Sequence, residues 1–149
     1  MDVRKGRGSA LGQMGGVDMD TSVVNILTEW DIVAARQIGR SFAKTIGFNA
    51  VDQARITTVI SELARNIYLY AEQGNVTVNV INQNNRDGIQ IIAEDHGPGI
   101  QNLQTVMKEG YSSYGLGAGL PGVKRLMDEF EIETETDKGT KIVVVKWLS

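Results

Sequence analysis

Four short stretches of this sequence hold residue types that could do chemistry together. The first is Glu62-Leu63-Ala64-Arg65-Asn66. Residues four apart on a helix share a face, separated by roughly 40° around the axis. Glu62 can take a proton, and the amide oxygen of Asn66 suits a hard cation such as Mg2+. An i,i+4 polar pair also occurs as plain solvated helix surface. The second stretch is Asp95-His96-Gly97-Pro98-Gly99, directly after an apolar run. An acid at a strand end can accept a hydrogen bond from a ligand while Gly97 and Gly99 let backbone approach it closely. The same residues also make an ordinary tight turn. The third runs from Gly115 to Gly122, with Gly115, Gly117 and Gly119 alternating ahead of a helix start. Exposed amides at the positive end of a helix dipole form an anion cradle; a flexible hinge is the other reading. The fourth, Gly139-Thr140, is by itself only hairpin chemistry.

Two common phosphate-binding patterns do not fit. Gly117, Gly119 and Gly122 match the spacing of a dinucleotide fingerprint, but Glu109 to Tyr114 is polar and supplies no preceding strand. No Gly-Lys-Ser or Gly-Lys-Thr occurs, so a P-loop is excluded.

The elements that must position these residues can be read from hydrophobic period. Val23 to Thr28 reads as a first strand at a sheet edge. Asp31 reads as the N-cap of a helix whose buried face is Ile32, Ala35, Ile38, Phe42 and Ile46, ended by Gly47. Asn49 caps a second helix with the stripe Ile56, Val59, Ile60, Leu63 and Ile67, closed by Gly74. The period then changes to two. Val76, Val78 and Val80, then Ile89, Ile91 and Ile92, predict a hairpin with a loose turn over Asn82 to Gly88, whose strongest signal is Asp87-Gly88. A short helix over Leu103 to Lys108 and a mobile Gly/Ser/Tyr-rich loop from Glu109 to Gly119 follow. Pro121 fits the first turn of a helix through Val123, Leu126 and Met127. Phe130 to Thr136 and Thr140 to Trp147 form a last hairpin around Asp137-Lys138-Gly139. The order β-α-α-β-β-α-loop-α-β-β predicts an α/β two-layer sandwich: a mixed, mostly antiparallel sheet with helices on one face.

Composition bounds the rest. With 149 residues and 42% apolar content, one hydrophobic core and one domain are expected, spanning residues 21–149. Residues 1–20, with five glycines among polar residues, read as a disordered extension. Arg4, Lys5 and Arg7 have no apolar core behind them, so this segment is not read as a signal peptide. A net charge of −3 with no basic cluster argues against nucleic acid as a partner. Apolar runs are far below the ~20 residues of a membrane span, so no membrane partner is expected. The absence of cysteine excludes disulfides and thiolate metal sites and fits a reducing cytoplasm. The single histidine, His96, rules out a multi-histidine zinc site.

Taken in order, the helix carboxylate–amide pair, strand-end acid, glycine lid and Gly-Thr hairpin resemble the four boxes of the GHKL superfamily of ATPases, the Bergerat fold. Within it the chain is most similar to the RsbT-type serine kinases. The most specific stretches are 28–36, 51–58, 60–71 and 115–130, and the resemblance covers nearly the whole chain after Asp20. It implies ATP and Mg2+ as cofactors. Asn66 is then the Mg2+ ligand, and Glu62 the general base for an attacking serine hydroxyl. Asp95 accepts from the adenine amino group with Thr140 in support, and Gly97 and Gly99 let the base lie against backbone. Gly115, Gly117 and Gly119 close over the phosphates, with amides near Leu120 facing them. Because Glu109 to Val123 holds no Lys or Arg, Lys108, Lys124 and Arg125 are the nearby cation candidates.

The resemblance also implies a role in general stress signalling. Such a kinase is held by STAS-domain proteins of the stressosome, a small antagonist and a larger scaffold. It phosphorylates them on serine or threonine, is released, and then activates a PP2C-type phosphatase by partner switching. A histidine kinase would need an accepting histidine on a helical hairpin, and a gyrase- or MutL-like machine a transducer domain; these 149 residues hold neither. The alternative of a different class is a non-catalytic, nucleotide-gated binding module or a direct anti-sigma factor. Retention of Glu62 favours catalysis, because a pure binder needs no base.

Overall fold

The structure is a computed structural model that describes residues 20–108 and 119–149. Most of the expected extension over residues 1–20, nearly all of the expected loop, and with it Gly115 and Gly117, lie outside the described residues. The elements run β1 (Thr21–Ile26), α1 (Glu29–Ile46), α2 (Ala50–Tyr70), β2 (Gly74–Gln83), β3 (Arg86–Asp95), α3 (Leu103–Val106), α4 (Gly119–Leu126), β4 (Glu129–Glu135) and β5 (Gly139–Trp147). The five strands form one sheet in the order β1-β2-β3-β5-β4. All four pairings are antiparallel.

Period-two patterning turns one sheet face inward. A single row crosses all five strands: Val24 opposite Val76, Val76 opposite Ala93, Ala93 opposite Ile142, and Ile142 opposite Ile132. Val24, Val76, Ala93 and Ile142 are buried, and Ile132 is partly so. The helices supply the second layer. Ile32, Ala35 and Phe42 of α1 and Ile56, Val59, Ile60, Leu63 and Ile67 of α2 join the same core. Each fully buried aliphatic side chain contributes about 1.5–3 kcal/mol relative to exposure. Two helices can pack this closely because α1 carries Gly39, where a Cβ would strike the Ile60 side chain.

Several boundaries differ from those read in the sequence. The N-cap of α1 is Thr28, and Asp31 sits at the third helical position, so β1 lies two residues earlier than expected. From there the Asp31 Oδ2 atom accepts from the Leu27 and Thr28 N–H groups, each at 2.9 Å, and from the Thr28 hydroxyl at 3.2 Å. Those bonds hold the Asp31 carboxyl below the usual range for aspartate, since they favour its charged form. Gly47 ends α1 in the left-handed region at φ 116°, and Asn49 caps α2 by accepting from the Asp52 N–H at 2.8 Å, as expected.

Gly74 does not close α2. The helix ends at Tyr70, and Gly74 opens β2, where a Cβ would stand 2.9 Å from both Asp95 Cβ and an Ile67 methyl. The β2–β3 turn is Asn84-Asn85, both left-handed at φ 55° and 62°, the combination a two-residue type I′ loop demands. Asp87-Gly88 lies inside β3 instead. Gly88 is needed there because a Cβ would come within 2.6 Å of the Trp147 ring on the neighbouring strand. Helix α3 is a single turn, shorter than expected. Among the described residues no helix is long and apolar enough to cross a membrane.

Candidate functional site

The stripe Leu63, Asn66, Ile67, Tyr70 and Ala71 repeats at three- and four-residue spacing and so faces one way from the C-terminal half of α2. It forms one wall of a cavity of about 310 Å3. Ala93 and Asp95 from β3 and Thr140 and Ile142 from β5 form its floor. Pro98, Gly99 and Ile100 close one side, with Val106 from α3 and Gly119 and Leu120 from the start of α4. An apolar cleft with a few convergent polar groups is the usual form of a small-molecule site.

Asp95 is the last residue of β3 and lies directly opposite Thr140 in the β3–β5 ladder. Its Oδ1 atom accepts from the Gly97 N–H at 2.9 Å, which holds the carboxylate at a fixed angle and leaves Oδ2 for another donor. The Thr140 hydroxyl is 2.8 Å from that of Thr134 on β4. The loop after Asp95 is pinned from the far side, where the Asp137 N–H donates to the Pro98 carbonyl at 2.8 Å.

The glycines of this loop are there for protein packing. A Cβ on Gly97 would lie 2.7 Å from that of Ala71, at the end of α2. Gly99 is left-handed at φ 77°, and a Cβ there would strike the Glu135 carbonyl. Gly99 also lines the cavity, whereas Gly97 does not. Gly139 serves the other hairpin, where a Cβ would run into the Asp95 and His96 backbone.

Of the residues read from sequence, the structure brings Asn66, Asp95, Gly99, Gly119, Leu120 and Thr140 to one cavity. Glu62 is one turn earlier on α2, about 6 Å along the axis from Asn66. It is only 5% exposed and is not on the cavity wall. His96 is exposed. Lys108, Lys124 and Arg125 are exposed and away from the wall, the last two on the final turn of α4. Sequence reasoning missed Tyr70, Ala71, Ile100 and Ile142 on the wall, and Gly74 and Thr134 behind Asp95 and Thr140. Helical period counted onward from Asn66 would have found Tyr70 and Ala71; nothing local marks the others.

Among the described residues no three His, Cys, Asp or Glu side chains could together hold a metal ion. Asn66 itself would offer a metal site one neutral oxygen. That suits Mg2+, which keeps waters and phosphate oxygens as its other ligands. Gly119 and Leu120, the first described residues of α4, line the same cavity; a helix N-terminus is a place where an anion is favoured.

A family profile described as a histidine kinase-like ATPase domain matches residues 27–146. The chain belongs to the histidine kinase-like ATPase family. Among curated proteins similar to this ATPase domain, the serine/threonine-protein kinase RsbT of Bacillus subtilis is 60% identical over 130 residues, 87% of this chain and 98% of that one. An anti-sigma F factor of Clostridium perfringens is 33% identical over 97 residues, 61% of this chain and 69% of that protein. A chain of the SiaB–SiaC complex of Pseudomonas aeruginosa superposes on the ATPase domain with a TM-score of 0.50 at 11% identity, covering 86% of this chain and 89% of the other. At that identity the likeness is one of fold.

Proposed function

We propose that this chain is a partner-switching serine/threonine-protein kinase that transfers the γ-phosphate of ATP to a hydroxyl of a protein partner. The observation that carries the nucleotide reading is the meeting of Asp95, Thr140, Asn66 and the α4 N-terminus around one otherwise apolar cavity. The 60% identity to a serine/threonine-protein kinase across nearly all of that protein's length supports the transfer.

In this reading the adenine lies on the floor formed by Ala93 and Ile142, with its amino group donating to Asp95 Oδ2. Asn66 holds Mg2+ through its amide oxygen, and the bound ion supplies charge neutralisation for the phosphates. The phosphates are assigned to the Leu120 amide and to Gly115, Gly117 and Gly119. Glu62 takes the proton from the attacking serine or threonine hydroxyl. Phosphoryl transfer asks chiefly for positioning and neutralisation, so a site with few cationic side chains is workable and slow.

The partners proposed are STAS-domain antagonist and scaffold proteins as substrates and a PP2C-type phosphatase as the alternative partner, in the cytoplasm. Val23, Leu27 and Trp30, all exposed at the β1–α1 junction, are the kind of side chains a protein partner covers. Gel filtration tests the exchange. The chain is expected to co-elute with an unphosphorylated STAS-domain protein and to move to the phosphatase once ATP and Mg2+ are added. Co-elution unaffected by ATP would contradict switching.

The burial of Glu62 favours a second reading, a nucleotide-gated binding module that transfers nothing. The two separate on phosphate transfer itself.

A further inference from the structure

Trp30 is 80% exposed, the most open large apolar side chain among the described residues. It does not stand alone. Ile26, the last residue of β1, pairs with Gly74, the first of β2. The chain leaves Ile26 to enter α1 at Glu29, and it reaches Gly74 from the end of α2 at Tyr70. One end of the sheet therefore carries both the start of α1 and the end of α2. The helix packing agrees. Gly39 packs on Ile60, and Trp30 and Leu69 each lie nine residues from that crossing, toward the same end, about 14 Å along the axis. Each is also two residues from a core side chain, Ile32 or Ile67, and so turned roughly 200° away from it. Both stand on the outer surface of the helix layer, where Leu69 is 47% exposed and its neighbour Tyr70 48%. Large apolar side chains left open together at one end of a helix pair are the form of a protein-binding surface.

Charge at this end has one sign. Residues 20–35 and 66–85, the stretches that meet here, contain Asp20, Glu29, Asp31 and Glu72 and no Lys or Arg. Glu29 and Glu72 are exposed. Arg65, one turn before Leu69, is already engaged within the chain. An acidic rim around an apolar centre repels an anionic lipid surface and complements a protein surface whose apolar anchor is flanked by Lys or Arg. The patch also lies away from the transfer chemistry, since Leu69 is about 10 Å along α2 from Glu62. A partner seated here has no need to bring a hydroxyl to the γ-phosphate. We propose that Trp30, Leu69 and Tyr70, rimmed by Glu29 and Glu72, form the docking surface for the partner that is not phosphorylated, the phosphatase, which meets it with an apolar anchor and basic flanks. The inference rests on the partner-switching reading and adds to it the surface that the phosphatase takes.

The test is calorimetric binding of the full chain to a PP2C-type phosphatase, with ATP and Mg2+, and to a STAS-domain protein without nucleotide, both from the same source. The parent is compared with Trp30→Ala, Leu69→Ala and Glu72→Lys; Tyr70 stays in place because it also lines the cavity. Trp30→Ala should weaken phosphatase binding roughly a hundredfold and Leu69→Ala roughly tenfold, the range of a central anchor and its neighbour. STAS-domain affinity, ATP affinity and melting temperature should stay parental, since both side chains are exposed. Glu72→Lys should weaken the phosphatase complex at low salt and lose that effect as salt rises. Parental phosphatase affinity in Trp30→Ala, an equal loss for both partners, or tighter phosphatase binding by Glu72→Lys would each overturn the proposal. So would a parental dimer that Trp30→Ala dissolves, which would make a second copy the occupant. If Trp30→Ala does not fold, Leu69→Ala decides by the same criteria. A parent that binds neither protein contradicts the partner-switching reading, and this inference falls with it; a parent that binds both, with variants that do the same, overturns the inference alone.

Discussion

Asp95 and Thr140 sit opposite each other at the end of the β3–β5 ladder, and both face the same cavity. Cross-strand pairing fixes their separation through the backbone, so a carboxylate and a hydroxyl are presented side by side without depending on a loop. Adding to that rigidity, Gly97 holds Asp95 Oδ1 while Thr134 holds the Thr140 hydroxyl.

Asp95→Asn separates the two oxygens of this carboxylate. The Asn Oδ1 atom can keep the Gly97 bond and therefore the turn, while Oδ2 becomes an amide donor. ATP affinity measured by calorimetry should fall by roughly tenfold to a hundredfold, the loss of a hydrogen bond to a charged group at about 1.5–3 kcal/mol. The melting temperature should barely move. Unchanged affinity would remove Asp95 from adenine recognition.

Asn66→Ala addresses the metal. Parent ATP affinity should be higher with Mg2+ than with the metal chelated. In the variant the two values should converge, because the protein oxygen that links the ion to α2 is gone. A variant with the full Mg2+ enhancement would show that Asn66 is not the ligand.

The first turn of α1 carries a pH dependence. The Asp31 carboxyl is held below its ordinary value of 3.8 by the Leu27 and Thr28 N–H groups. A depressed folded-state pKa stabilises the fold fully above the unfolded value and loses that contribution as pH falls through the folded one. Asp31→Ala should therefore melt below the parent at neutral pH, with the gap narrowing as pH drops below about 4. Melting curves at neutral and acid pH check this; a gap that stays constant across that range would contradict it.

The layers and the polar end of the site were legible in the sequence because they depend on local period. Ile56, Val59, Ile60, Leu63 and Ile67 point one way on any helix, so the core face of α2 and the orientation of Asn66 followed together. The errors arose where the deciding contact is distant in the chain. Within the expected turn region Asn82 to Gly88, Asp87-Gly88 has the stronger turn chemistry, but Gly88 is required by Trp147 on a neighbouring strand, and the turn falls to Asn84-Asn85. Gly74 looks like a helix stop and in fact makes room for Asp95. Asp31 has N-cap chemistry and serves the cap from three residues inside the helix. Gly97 and Gly99 suggested ligand approach from their own chemistry; that a Cβ on them would also meet Ala71 and Glu135 depends on contacts distant in the chain. Glu62 was singled out by type and spacing, but its burial depends on packing that spacing does not encode.

The most direct test of the account is transfer of radiolabelled phosphate from ATP, with Mg2+, to a STAS-domain protein from the same source, with Glu62→Ala alongside. The parent should label a serine or threonine. The variant should bind ATP with parental affinity and lose roughly a hundredfold to ten-thousandfold in rate, the usual contribution of a general base. A parent that binds ATP and forms a stable complex yet transfers no label would contradict the kinase reading and leave a nucleotide-gated binding module.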